Sequence, residues 1–502
     1  MKTLFGFLVA AALTSSTSAA TMTRAWVKSY DGPGQGSDNA FAIGVNAAGE
    51  VFVAGESAGT AGSPYAYDFV TLKFSTVGVC LWTNRFHGAG TGNDIAHGLA
   101  LDSAGDVLVT GESSGLSTRT DFATVKYSGQ GVPLWTNRYR AAADSAIARA
   151  IAIDGNDDAY VTGYTYASGL VTIKYSSEGV PLWTNVYLGP VNQGYASSIA
   201  LDGHGKVFVS GFSTGNGTSD DFVTLAYSTA GAGLWTNRYD GPDSGSDQAN
   251  AMAVDVNGNA FVAGGTAASG LTEFVAIKYS NNGAPLWTNR YRGGGSRSGG
   301  ASDVVLDAAG NVFLAGSSIG SGTYGDFVTL KYSNDGIPLW TNRYVSSYDD
   351  AVNSLTLDPN GNVFVTGYFT DSSGIAFDLA TVAYSNDGTW LWTDTYNGPA
   401  NNDDSGNAIA PDRSGNVFVT GYSRATNGYA DIVLLKYSTT LVSPPLQVQR
   451  TANPMVLSWA NTLFSLQSAT SLSSTFTNIP GATSPYSNSL SGSPRYFRLR
   501  GN

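Results

Sequence analysis

Carboxylates carry most of the chemistry this chain could perform, and they recur at fixed places. Asp38, Asp94, Asp144, Asp247, Asp350 and Asp404 each stand at the start of an Ala-rich segment, while Gly194 and Gly299 hold the corresponding place in two other copies. Gathered at one mouth of a channel, such a ring would repel itself and favour a hard cation such as calcium. Asp38, Asp94, Asp247, Asp350 and Asp404 are therefore the candidate metal ligands, with bound waters and backbone caps as the competing use. Two adjacent pairs, Asp349-Asp350 and Asp403-Asp404, could do acid–base work on a polysaccharide if neighbouring units bring them together. His87, His97 and His204 stand at no metal-ligand spacing, and neither a G-x-S-x-G elbow nor a phosphate-binding loop is present. No catalytic residue is assigned.

A second set of charges reads as structural. An acidic residue opens one strand-like segment in seven copies (Asp68, Asp121, Asp221, Glu273, Asp326, Asp378, Asp431), and Arg85, Arg138, Arg238, Arg290 and Arg343 sit near the end of the next. Counting outward from the turn at Asn334-Asp335 places Asp326 opposite Arg343, so these are expected cross-strand ion pairs. The D-x-x-G-N turns, such as Asp255 to Asn259 and Asp358 to Asn362, have Gly fourth rather than sixth and read as hairpins, not calcium loops.

The elements that position these residues follow from one repeated phrase, best preserved in Asn311 to Tyr344 as NVFLAGSS, GDFVTLKYS and NDGIPLWTNRY. Trp26, Trp82, Trp135, Trp183, Trp235, Trp287, Trp340 and Trp392 mark it off, at intervals of 56, 53, 48, 52, 52, 53 and 52 residues. Each period holds four strand-like pieces, A to D: an Ala-rich segment, VFVTG, DFVTLKYS and LWTNRY, with short Gly-containing links from A to B and from C to D. A four-stranded meander at this period is a propeller blade. Eight B and eight C segments are present, but the last C segment runs into Thr439-Thr440-Leu441-Val442 with no LWTNRY after it. The missing strand is expected from Ala25 to Tyr30, which would close an eight-bladed ring. The recurring tryptophans are expected to wedge between blades.

VFVTG, DFVTLKYS and G-x-P-LWTNRY together resemble the SBBP family of bacterial β-propeller repeats, over about Arg24 to Ser438. The resemblance implies the fold and an extracellular or envelope setting; it implies no catalytic set. The family's name suggests seven blades, where the count here is eight.

The expected organisation is a signal peptide over 1–20, the propeller over 21–440, and a small β-sandwich-like module over 441–502. Lys2, the apolar stretch Leu4 to Leu13 and Ala19-Ala20 carry the first assignment. No later stretch is long and apolar enough for a transmembrane segment. The single cysteine, Cys80, rules out an intrachain disulfide, and a formal charge of −12 disfavours nucleic acid and anionic lipid as partners. The A-to-B and C-to-D links are nearly uniform, whereas the B-to-C and D-to-A links vary, so the face that carries the variable links is the expected binding face. Tyr65, Tyr67, Tyr324, Tyr348, Tyr429 and Arg292 stand there as candidates for contact with a carbohydrate or envelope protein. The resulting expectation is a secreted, non-catalytic binding or scaffold protein. Its rivals are an extracellular enzyme acting on polysaccharide through loop carboxylates, a quinoprotein-like dehydrogenase, and a self-assembling envelope component.

Overall fold

A computed structural model describes residues 21–501 except 35, 60–65, 116–118, 142–143, 167–168, 218, 269–270, 294–298, 321–323, 346–347, 371–373, 441–445, 451–454, 459–463, 472 and 489–495. The leader expected over 1–20, and Tyr65, lie outside the described residues. Those described form strands and turns with no helix, so no helix is long and apolar enough to cross a membrane.

Eight four-stranded antiparallel sheets lie along the chain, at 38–86, 94–139, 146–187, 195–239, 248–291, 299–344, 351–396 and 404–440; they are called sheets 1 to 8. In sheets 1 to 7 the four strands pair in chain order, A to D. Sheet 8 takes its fourth strand from the other end of the chain, Thr21–Tyr30, which pairs with Ala430–Thr440. Each A strand touches the A strand of the next sheet, and that of sheet 8 touches that of sheet 1. The chain forms two compact units, 24–437 and a second that contains 438–502.

Burial follows position within each sheet. Strand B, such as Val51–Ala58, is buried along its whole length because both faces are covered by neighbouring sheets, which is why it reads as a continuous apolar run. Strand D, such as Pro133–Tyr139, lies at the outer edge and is largely exposed; Leu134, Leu182 and Leu339 there are about half exposed. The A-to-B turns are clamped by their first Asp: Asp102 Oδ1 accepts the N–H groups of Ala104 and Asp106 at 3.0 and 2.8 Å.

The tryptophans bridge sheets as expected. Trp82 lies 6.0 Å from Phe52 of its own sheet and 6.3 Å from Tyr127 of the next, and its Nε1 donates to Gly129 O at 3.2 Å. Gly131 makes room for it: φ is +83°, and a Cβ there would stand 2.9 Å from the indole. Two residues beyond six of the tryptophans an Asn completes the latch. Asn84, Asn137, Asn185, Asn237, Asn289 and Asn342 each donate from Nδ2 to the turn glycine carbonyl of the next sheet at 2.7 Å.

The five Asp/Glu–Arg pairs form, from 2.5 Å for Arg238–Asp221 to 3.7 Å for Arg290–Glu273. Their register differs from the expectation. Val328, not Asp326, stands opposite Arg343, because the turn closes on the pair Tyr332 and Pro338, one step from the expected centre, and a bulge at Lys331/Tyr332 shifts the ladder by one more. Arg343 therefore reaches Asp326 diagonally, at 2.6 Å.

In the C-terminal unit two three-stranded sheets, Gln447–Arg450 with Met455–Ser458 and Tyr486–Asn488, and Thr477–Asn478 with Phe464–Ala469 and Tyr496–Gly501, pack around Leu457 and Leu466. The strands at 447–450 and 486–488 are short polar segments whose composition does not separate them from loops.

Candidate functional site

The five candidate metal ligands act within their own sheets. Asp38, Asp94, Asp247 and Asp404 are fully buried and Asp350 nearly so, so they do not line an open mouth. Each of the first four accepts the N–H of the glycine six residues before it: Gly32, Gly88, Gly241 and Gly398, at 2.6, 2.7, 2.5 and 2.5 Å. Asp94 also accepts Ser113 Oγ at 2.5 Å and Ser114 N at 2.9 Å; Asp350 accepts Thr370 N at 3.2 Å. These carboxylates hold the D-to-A link against the end of strand B. Burial nonetheless raises the pKa values of Asp38, Asp94 and Asp404 above the ordinary carboxylate value.

Among the described residues, three groups bring possible ligand atoms within 4.8 Å: Asp68, His87 and Asp94; Asp221, Asp240 and Asp247; and Asp31, Asp38 and Asp431. In the first two a guanidinium already neutralises the strand-C carboxylate, Arg85 on Asp68 and Arg238 on Asp221. In the third, Ser29 takes the place of that arginine. Burial, with Asp31 and Asp38 adding to it, pushes Asp431 up to about 6. Of the three, this is the group in which a cation would meet no competing arginine.

The loop candidates are spread around the molecule. Tyr324 and Tyr348 meet, with ring centroids 5.5 Å apart, beside the link between sheets 6 and 7. Tyr67 stands on sheet 1 and Tyr429 on sheet 8, and Arg292, on sheet 5, leans toward Glu273 at 3.9 Å. Asp349 and Asp403 cap the strand-C starts of the preceding sheets, accepting Gly325 N at 2.7 Å and Phe377 N at 3.3 Å.

A more coherent site lies on the A strands. Every A strand carries a bulge at the same place, leaving one residue outside the ladder: Phe41, His97, Arg149, Ser197, Asn250, Ser302, Asn353 and Asn407. The three asparagines bind the next sheet, donating to Ala301 O at 2.8 Å, Gly406 O at 2.9 Å and Ala40 O at 2.9 Å. Sheets 4 and 6 carry serine at this position, and sheets 1 to 3 carry three large side chains in succession. Phe41 and His97 rings lie 6.2 Å apart, and Arg149 Nη1 lies 3.5 Å from His97 Nδ1. Bulges re-aim side chains, and here they turn an aromatic ring, an imidazole and a guanidinium toward one another.

Beside them Tyr164, Tyr195 and Phe212 enter from the register positions just before the bulges. Tyr195 stacks on Phe212 at 5.0 Å and meets Tyr164 edge-on at 4.6 Å; Tyr166 adds an exposed ring 5.6 Å from Tyr164. His97, Arg149, Tyr164, Tyr195, Ala196, Ser197 and Phe212 line a cavity of about 510 Å³, within the range of small-ligand pockets. Burial holds the His97 imidazole below its usual pKa, with Arg149 adding to the effect, although its Nε2 lies 3.8 Å from Glu112 Oε1. In the tautomer that carries its proton on Nε2, Nδ1 accepts from Arg149. Glu112 and Glu56 occupy the equivalent strand-B position in sheets 2 and 1 where Tyr164 and Phe212 stand in sheets 3 and 4. Aromatic faces thus adjoin fixed donors and acceptors, an arrangement suited to holding a ring-shaped polar ligand.

Sequence reasoning placed binding on the loops and missed these strand residues. The signal was present in the repeat: QANA (248–251), AVNS (351–354) and SGNA (405–408) against NAFA (39–42), IAHG (95–98) and IARA (147–150).

Comparison with known proteins agrees with the architecture. Residues 340–368, from strand D of sheet 6 to strand B of sheet 7, match the SBBP β-propeller repeat, so the chain carries that repeat. With eight four-stranded sheets around neighbouring A strands, it is a β-propeller protein. No curated protein matches it. Two crystal structures of Sqt1 from Chaetomium thermophilum, each 10% identical, align at TM-scores of 0.52 and 0.53, covering 80% of this chain and 96% and 97% of theirs. A protein of unknown function from Dyadobacter fermentans DSM 18053 aligns at a TM-score of 0.44 and 10% identity, over 84% of this chain and 100% of its own.

Proposed function

We propose that this is an exported, non-catalytic binding protein. Its eight sheets are the blades of one ring closed by strand 21–30, and it takes a carbohydrate at the mouth of the central channel on blades 1 to 4. The observation that carries the reading is the run Phe41, His97, Arg149, where three successive bulges depart from the inter-blade Asn beside the Tyr164–Tyr195–Phe212 cavity. The residues fit sugar binding: ring faces for stacking, with Arg149, Ser197 and the Tyr164 hydroxyl to orient hydroxyl groups. Export rests on the leader-like residues 1–20 and is tested by N-terminal sequencing of the protein recovered from the medium and the cell envelope of its expression host.

The binding test is retention of the intact protein on a panel of immobilised polysaccharides, with the double substitution Tyr195→Ala, Phe212→Ala alongside. Retention of the parent on at least one glycan, lost at least tenfold in the double variant while thermal unfolding stays cooperative, is the expected result. Undiminished retention of the variant would move the site elsewhere, with Tyr324 and Tyr348 as the next residues to replace.

A further inference from the structure

Resting on that reading, we infer that the cavity on sheets 2 to 4 is specific for a sugar residue bearing a single carboxylate, a glycuronate unit within or at the end of an otherwise neutral glycan. The guanidinium of Arg149 is what selects it. The chain holds 38 acidic and 26 basic residues, yet among the described residues no carboxylate lies within 4.0 Å of Arg149. The arginines of the strand-D series, by contrast, are all committed to Asp or Glu. Arg149 is exposed at its bulge and stands against aromatic and polar partners only. Its Cζ is 5.7 Å from the Tyr164 ring centroid, Nη2 is 3.5 Å from the Tyr164 hydroxyl, and Nη1 is 3.5 Å from His97 Nδ1. These long contacts use two of its five N–H donors and orient the fork without neutralising it.

A guanidinium held this way pairs with a carboxylate through two parallel hydrogen bonds, a geometry that an ammonium or a neutral donor does not reproduce. The stacked Tyr195 and Phe212 rings provide an apolar face on the same cavity, which a pyranose ring fits through its C–H side. Arg149 is the one guanidinium among the residues that line the cavity, so one carboxylate is what it can pair. A net charge of −12 also disfavours a dense polyanion as the ligand, which leaves the isolated acidic sugar.

The test compares the methyl glycoside of galacturonic acid, which bears one carboxylate, with the methyl ester of the same glycoside by calorimetric titration of the full-length protein. The ester keeps the ring and removes the charge. The expected result is at least tenfold tighter binding of the acid, a preference that falls to within twofold in Arg149→Gln and weakens with added salt, while Arg149→Lys recovers only part of it. Arg149 is exposed and unpaired with acid, so the Gln variant keeps the parent's unfolding midpoint. Equal binding of acid and ester by the parent, or an undiminished preference in Arg149→Gln, would overturn the carboxylate assignment. If neither probe binds while a neutral glycan is retained in a Tyr195- and Phe212-dependent way, the carboxylate assignment fails and the binding site stands. If no glycan is retained, both fail.

Discussion

Six of the junctions between successive sheets are alike, and the junction between sheets 7 and 8 is not. In the six, an Asn donates to the glycine carbonyl of the next sheet's C-to-D turn. Sheet 8 has no such turn, because its C and D strands come from opposite ends of the chain. Sheet 7 accordingly carries Asp394 where the others carry Asn, and the N-terminal strand supplies the partner. Arg24 Nη2 donates to Asp394 Oδ1 at 3.0 Å, and Nε lies 2.9 Å from Oδ2. The Tyr437 hydroxyl donates to the same carboxylate at 3.0 Å. Where the chain breaks, a neutral latch to backbone is replaced by a forked ion pair, the stronger and more directional contact. A seam made of side chains from distant parts of the sequence needs more specificity than one made by a turn.

The largest effect that separates the two kinds of junction is expected from Asp394→Ala. It leaves the buried Tyr437 hydroxyl and the Arg24 guanidinium without their acceptor, a loss of about 2–3 kcal/mol. Hydrogen exchange should show strand 21–30 losing protection ahead of every other D strand; uniform loss across the sheets would make the seam no different from the rest. Asn342→Ala, at an ordinary junction, removes one partly buried hydrogen bond and should cost about 0.5–1.5 kcal/mol in denaturant titration, with no selective change at 21–30.

The smallest effect is set by pH where sheet 8 meets the first strand of sheet 1. Asp431 has a folded-state pKa pushed up to about 6, above the unfolded value of about 3.9, so its charge opposes folding. Stability should rise as pH falls from 7.5 to 5, and Asp431→Asn should flatten part of that slope. Asp303, which accepts Leu355 N at 2.8 Å and is also raised to about 6 by burial, contributes to the remainder with the same sign. A slope unchanged in Asp431→Asn would show that the crowding of Asp31, Asp38 and Asp431 does not act on folding.

What was legible in the sequence was whatever the chain repeats. The tryptophan spacing, the tight turns and the acid–arginine pairs recur because each sheet meets the same packing problem, and recurrence exposes the solution. The diagonal setting of Asp326 and Arg343 was hidden because the closing pair of the turn and a bulge each shift the ladder by one residue without changing the pattern of residue types. The A-strand site was obscured in the same way. Ala96 and Gly98 flank His97 much as Ala249 and Ala251 flank Asn250, so only the pairing register reveals that the middle residue of each trio stands outside the ladder. Side-chain distances then distinguish an Asn that ties sheets together from an Arg that does not.

The eight bulges have an evolutionary consequence. A residue outside the ladder contributes little to strand pairing, so its type can change without disturbing the alternation that buries the strands on either side. The bulge positions that do not tie one sheet to the next through Asn can therefore change residue type one codon at a time while the ladders keep their register. New specificities on this scaffold would arise by substitution at 41, 97, 149, 197 and 302, where the bulge residue is not one of the asparagines that bind the next sheet, more readily than by remodelling loops.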